Sequence, residues 1–217
     1  MCSLRLRLGA PLPFDGGTCE QCRVALDAFG YHRLVCHLTV RIHVRHRILN
    51  QAWRQVFIEA GGVVPRRNVE RFLRDTPVVV PADDTRRIDL VVPCSGVARG
   101  VPLLCDVTCV APVTRAGRAR DGCLTIDGGA VVAATSRCNR DYSEVGPSGV
   151  ARLCCLGVEV LGRWSTDSLW VVPALARERT RHLPHRVRVK SVPGAQSLLS
   201  FRMGRNPNTF GKMLKGN

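Results

Sequence analysis

Residues 85–110, TRRIDLVVPCSGVARGVPLLCDVTCV, decide the fold. They predict two apolar strands, Arg87–Val92 and Val101–Val110, joined by a turn rich in Pro, Gly and Ser (Pro93, Ser95, Gly96, Gly100, Pro102). Each strand carries one carboxylate among aliphatic neighbours, Asp89 in RIDLV and Asp106 in LLCDVT. An acid in a run meant for burial is costly unless it is paired, hydrogen-bonded or bound to a cation. Two such acids on paired strands are placed to hold a divalent metal through oxygen ligands. The competing reading is a pair of ordinary salt-bridged acids, served by Arg86 and Arg87 with Asp83 and Asp84 nearby.

Outward from this stretch, the whole chain is basic. Its 217 residues carry a formal net charge of +15, which points to a polyanionic partner, nucleic acid or an acidic membrane surface. No apolar run is long enough to cross a bilayer, and residues 1–14 lack the continuous apolar core of a signal peptide. The eleven cysteines are odd in number, and several (Cys105, Cys109, Cys154, Cys155) lie inside apolar runs. Buried, reduced thiols of an intracellular protein fit them better than a disulfide framework.

Before residue 38 the notable stretch is CEQCRVALDAFGYHRLVCH. Cys19 and Cys22 form a C-x-x-C pair; nine residues separate Cys22 from His32, and three separate His32 from Cys36. Two thiolates from a tight turn with a His and a Cys from the next element make a tetrahedral, structural zinc set. Gly16, Gly17 and Gly30 give the chain freedom for such turns. A redox C-x-x-C would explain neither His32 nor Cys36, and His37 is an alternative fourth ligand.

Residues 38–60 predict a long helix, with Ile42, Leu49, Trp53, Val56, Phe57 and Ala60 near helical spacing and Gly61–Gly62 as the stop. Arg41, His43, Arg45, His46, Arg47 and Arg54 form its basic face, read as phosphate contacts in preference to a merely solvated surface. Glu59, the one acid of this helix, is a candidate to point at the carboxylate pair. After the link Pro65-Arg66-Arg67, NVERFLR suggests another turn of helix capped by Asn68, and TPVVVPADD a short strand. Residues 111–127 read as a loop in which Arg115, Arg118 and Arg120 contact phosphate. A helix over 128–142 carries Arg137 and Arg140 near its end. A buried strand over 153–164 precedes a helix capped by Ser165 that runs through Pro173. The basic final residues, 178–217, suit an arm on nucleic acid or a disordered tail.

In order and spacing, these motifs resemble the C-terminal part of a non-LTR (LINE-type) retrotransposon polyprotein, beyond its reverse transcriptase. Cys19, Cys22, His32 and Cys36, with Asp27 and Gly30 between them, match that family's zinc knuckle. Arg45-His46 matches the pair that opens the next helix, and Ala60-Gly61 its end. Arg87-Ile88-Asp89 sits at an Arg-Pro-Asp motif, Asp106-Val107-Thr108 at the second acid, and Tyr142 after the downstream helix. The resemblance covers about residues 4–177.

It implies three segments: residues 1–37 with the CCHC knuckle, a restriction-endonuclease-like α/β domain of the PD-(D/E)xK type over 38–177 (a mixed sheet flanked by helices), and the basic tail. It implies structural zinc in the knuckle, and a catalytic Mg²⁺ or Mn²⁺ on Asp89 and Asp106; spacing leaves the third acid open between Glu59, the first candidate, Glu70 and none. The activity implied is nicking of DNA in the nucleus, with DNA or RNA as partner beside a reverse transcriptase portion. Such nucleases use a lysine near the metal. Here Thr108, Cys138 and Asp141 stand at its usual positions, leaving Arg137 and Arg140 as the nearest cations. Arginine keeps its charge and does not act as a base. A catalytically inactive nucleic-acid-binding module is therefore the alternative. With the chain beginning at a methionine and no polymerase ahead of it, a truncated or decaying copy of such an element is expected.

Overall fold

A computed structural model describes residues 11, 17–36, 38, 41–64, 70–93, 96–98, 100–114 and 116–181. In chain order the helices are α1 (Tyr31–Val35), α2 (Arg41–Glu59), α3 (Gly129–Asp141), α4 (Val145–Ser148) and α5 (Thr166–Arg179). The strands are β1 (Arg71–Phe72), β2 (Arg87–Ile88), β3 (Leu90–Val92), β4 (Leu103–Val110) and β5 (Arg152–Glu159). The architecture is mixed α/β: a three-stranded sheet ordered β3-β4-β5 and a small β1-β2 pair, with helices on both faces of the larger sheet.

β4 is the axis. It pairs antiparallel with β3 (Leu90 opposite Cys105) and parallel with β5 along its whole length (Leu103 opposite Arg152, Val110 opposite Glu159). Strand side chains alternate between faces. Leu103, Cys105 and Val107 therefore join Leu90, Val92, Cys154, Leu156 and Val158 on one face. Leu49, Trp53 and Phe57 of α2, and Val171, Val172 and Leu175 of α5, close this face into the main core. Trp53 and Phe57 are fully buried, and Trp164 meets Trp53 edge-on at 5.9 Å.

The opposite face carries Leu104, Asp106 and Thr108 from β4 and Leu153, Cys155 and Gly157 from β5, under α3. Leu104 belongs to a second, smaller core with Leu73, Val78, Ile88, Val91, Val145 and Ala151. Gly157 lets α3 come close, since a Cβ there would lie 2.7 Å from Val131 Cγ2.

Some expectations fail locally. NVERFLR forms no α-helix in its described part: Arg71–Phe72 is a strand and Leu73–Asp75 a single 3-10 turn, because Arg71 and Phe72 find partners in Ile88 and Arg87. Asn68, the Pro65–Arg67 link and the turn residue Ser95 lie outside the described residues. TPVVVPADD makes no strand, for Pro77 and Pro81 remove two donors and Val79 is 90% exposed. Its acidic turn does form, Asp84 N donating to Pro81 O at 3.0 Å. The strand expected over Arg87–Val92 is also broken at Asp89, β2 pairing with β1 and β3 with β4 in separate sheets. Elsewhere the elements are shorter than expected, α2 starting at Arg41, β4 at Leu103, and β5 ending at Glu159 before a turn brings Trp164 back beside Val158. Ser165 caps α5, its Oγ accepting from Ser168 N at 3.1 Å. The helix passes through Pro173 because buried side chains on either side, Val172 and Leu175, anchor it in the core.

Candidate metal centres

The first centre is built by a hairpin and a short helix. Cys19 N donates to Val24 O and Arg23 N to Cys19 O, both at 2.8 Å, folding the C-x-x-C segment back on itself. Asp27 then organises the entry to α1: its carboxylate accepts from the backbone N–H groups of Phe29, Tyr31 and His32 at 3.0, 2.9 and 2.7 Å. Gly30, with φ 73°, makes the bend that such a reversal needs. His32 and Cys36, at the second residue of α1 and just past its end, are thereby brought over the hairpin. The four donor atoms of Cys19, Cys22, His32 and Cys36 all lie within 4.8 Å of one another.

Cys19 and Cys36 sulfurs are 3.8 Å apart, and Cys22 Sγ lies 3.0 Å from His32 Nε2. A tetrahedral zinc with Zn–S bonds of about 2.3 Å separates its sulfurs by about 3.8 Å. This group could hold a metal such as zinc. Burial pushes the Cys19 thiol up, but hydrogen bonds from the backbone of Cys22 and Gln21, and from the His32 and Cys22 side chains, together lower it to about 6. A lowered thiol is closer to the thiolate that a metal requires. His37 lies outside the described residues. Arg45 of α2 donates to Leu34 O, so this arginine ties the knuckle to the long helix and is not spread on the surface.

The second centre gathers around Asp89, which stands in the gap between β2 and β3. On one side the β1–β2 register, Arg71 opposite Ile88, continues to Glu70 opposite Asp89. On the other, the β3–β4 register ends at Leu90 opposite Cys105, and Asp106 is the next residue of β4. One residue thus sits between two ladders with an acid on each flank. Asp89 Oδ2 accepts from Val107 N at 2.7 Å and lies 3.1 Å from His46 Nε2, and His46, Glu70 and Asp89 form a group within 4.8 Å. The hydrogen bond to Asp89 raises the His46 pKa, with Glu70 and Asp106 adding to the effect. Asp106 is pushed up to about 6, chiefly by burial and then by the Asp89 charge. Tyr142 closes the back of the cluster, its hydroxyl donating to Arg87 O, and burial together with the two aspartates drives its pKa up.

The salt-bridge alternative holds for Asp89 through His46 and not through the arginines expected to serve it. Arg86 pairs with Asp84 at 2.6 Å and Glu144 at 2.8 Å, and Arg87 stacks over Phe72 and reaches Glu70 at 3.8 Å. Glu59 is not part of the cluster. It lies at the other end of α2, about 20 Å along the axis from His46, where it accepts from Gln55 Nε2 at 3.0 Å and faces Arg179 at 4.0 Å. Glu70, the other candidate, lies with His46 and Asp89.

Of the two arginines on α3, Arg137 is within electrostatic reach of Asp106 and lowers its pKa, whereas Arg140 lies 3.9 Å from its neighbour Asp141. His46, expected at phosphate, is instead the partner of Asp89. Arg47, Arg118 and Arg120 are exposed and Arg54 half-buried. Arg118 and Arg120 follow a small reversal in which Thr114 N donates to Arg118 O at 2.7 Å. Arg115 and the side chain of Arg41 lie outside the described part. No protein-family model matches the sequence, and no curated protein matches it closely enough to count as a relative.

Proposed function

We propose that the chain is a metal-dependent endonuclease domain of the retrotransposon type, with a restriction-endonuclease-like fold, that nicks DNA in the nucleus beside a reverse transcriptase portion. The observation that supports this reading is the group of His46, Glu70 and Asp89, with His46 hydrogen-bonded to Asp89 and with Asp106 close enough to feel the Asp89 charge. Carboxylate oxygens are the donors that Mg²⁺ or Mn²⁺ prefers, and Asp89, Asp106 and Glu70 would hold it. The bound ion would supply charge stabilisation at the scissile phosphate and an acidified water. His46 orients Asp89 and, when neutral, can take a proton from a water beside the acids. Arg137 adds positive charge on the Asp106 side. Arg47, Arg118 and Arg120 suit the phosphates of a duplex or of RNA.

One observation favours a second reading, an inactive binding module. Asp141 occupies a position where the resembled family has lysine, and its charge raises the Asp106 pKa instead of lowering it. Nicking of supercoiled DNA with Mg²⁺ or Mn²⁺, parent beside Asp89→Ala and Asp106→Ala, separates the two. The nuclease reading expects cleavage by the parent alone and salt-sensitive DNA binding by all three. A parent that binds but never cuts would leave the binding module standing.

A further inference from the structure

We propose that Asp106, Cys138 and Cys155 form a separate site for a soft divalent ion such as Zn²⁺ or Cd²⁺, under α3 and beside the oxygen cluster. It does not depend on the nuclease reading. The β4–β5 register sets Asp106 directly opposite Cys155, so carboxylate and thiol stand side by side on the same face of the sheet. α3 lowers Cys138 onto them, close because Gly157 offers no Cβ where Val131 packs. The three donor atoms lie within 4.8 Å of one another, with Cys138 4% and Cys155 0% exposed.

Two sulfurs and one carboxylate oxygen make a donor set unlike that of the Asp89 cluster. Mg²⁺ takes oxygen ligands in octahedral geometry, whereas thiolates select zinc and its heavier analogues. Three protein donors leave a fourth tetrahedral position for water. Zinc spaces such donors about 3.5–3.8 Å apart, a span compatible with a group whose atoms lie within 4.8 Å. Asp106 is the one residue of the three that is half-buried and not fully buried. Asp106 also feels the charge of Asp89, so an ion held by the thiols would act on the neighbouring group of His46, Glu70 and Asp89.

The test is zinc stoichiometry on the reduced full chain, titrated with Zn²⁺ against a chromophoric chelator, with Co²⁺ as a spectroscopic substitute. The parent should bind one tight equivalent in the knuckle and a second, weaker one that produces a further thiolate-to-cobalt band. Cys138→Ala and Asp106→Asn should each keep the first and weaken the second by at least about tenfold. Should Cys138→Ala not fold, Asp106→Asn, nearly isosteric and at a half-buried side chain, carries the test alone. A parent that stops at one equivalent, or a second equivalent unchanged in a folded variant, overturns the proposal.

Discussion

The two faces of the central sheet are built from the same strands and have opposite characters. The face under α2 and α5 is an unbroken apolar layer of Leu103, Cys105, Val107, Leu156 and Val158, sealed by Trp53 and Phe57. The face under α3 alternates small and polar groups, with Asp106, Thr108, Cys155 and Gly157 in place of bulk. Alternation along β4 allows both: Leu103, Cys105 and Val107 go to the main core, while on the other face Asp106 follows Leu104 of the smaller core. Stability and chemistry are thereby separated by the thickness of one sheet, so they can be disturbed independently.

The largest effect should come from the apolar face. Phe57→Ala should cost about 3–5 kcal/mol, read as a lower denaturant midpoint. Asp106→Asn tests the other face and should act in the opposite direction. The Asp106 pKa is raised in the folded chain, to about 6, so the fold binds a proton that the unfolded chain has released. The parent therefore loses stability as pH rises from about 4 to about 6, with a penalty complete above that window. Removing the charge should leave the variant about 1–3 kcal/mol more stable at pH 7 and no different below pH 4. Urea melts at the two pH values measure it, and equal midpoints at pH 7 would break the comparison.

Gly157→Ala should cost about 1–3 kcal/mol through crowding by Val131, and Val131→Ala in the same chain should recover part of it. If Gly157→Ala is silent, the α3 face is looser than its geometry indicates. The smallest effect belongs to neither face. Arg118→Ala should leave the melting curve in place and reduce the salt dependence of DNA binding by about one phosphate contact.

The sequence made some of this legible and hid the rest for identifiable reasons. The knuckle was readable because its ligands are close in sequence and its spacing is chemically constrained. Asp89 and Asp106 were readable because a carboxylate inside a β-branched run has few innocent explanations. Glu70 was only one of two candidates, because NVERFLR has the composition of a helix turn; the strand at Arg71–Phe72 arises from pairing with Arg87 and Ile88, fifteen or more residues on. Glu59 was favoured by its helix and lost by its position along it. The charge pattern of residues 38–60 puts His46 and Arg45 on a phosphate-facing surface, but such a pattern reveals exposure only on average. Tertiary contacts turned one into a carboxylate partner and the other into a tie to Leu34. Cys138 and Cys155 were visible as thiols, but their meeting depends on a parallel pairing that no local pattern encodes.

The gap at Asp89 has one more consequence. On one side Asp106 is carried by an eight-residue strand paired along its full length, while on the other Glu70 is held in register only by the two-residue pair β1–β2. Amide hydrogens of the short pair should exchange with water well before those of β4 and β5. The residues gathered at Asp89 are therefore held by backbone pairing of very unequal length, and the exchange rates should show it.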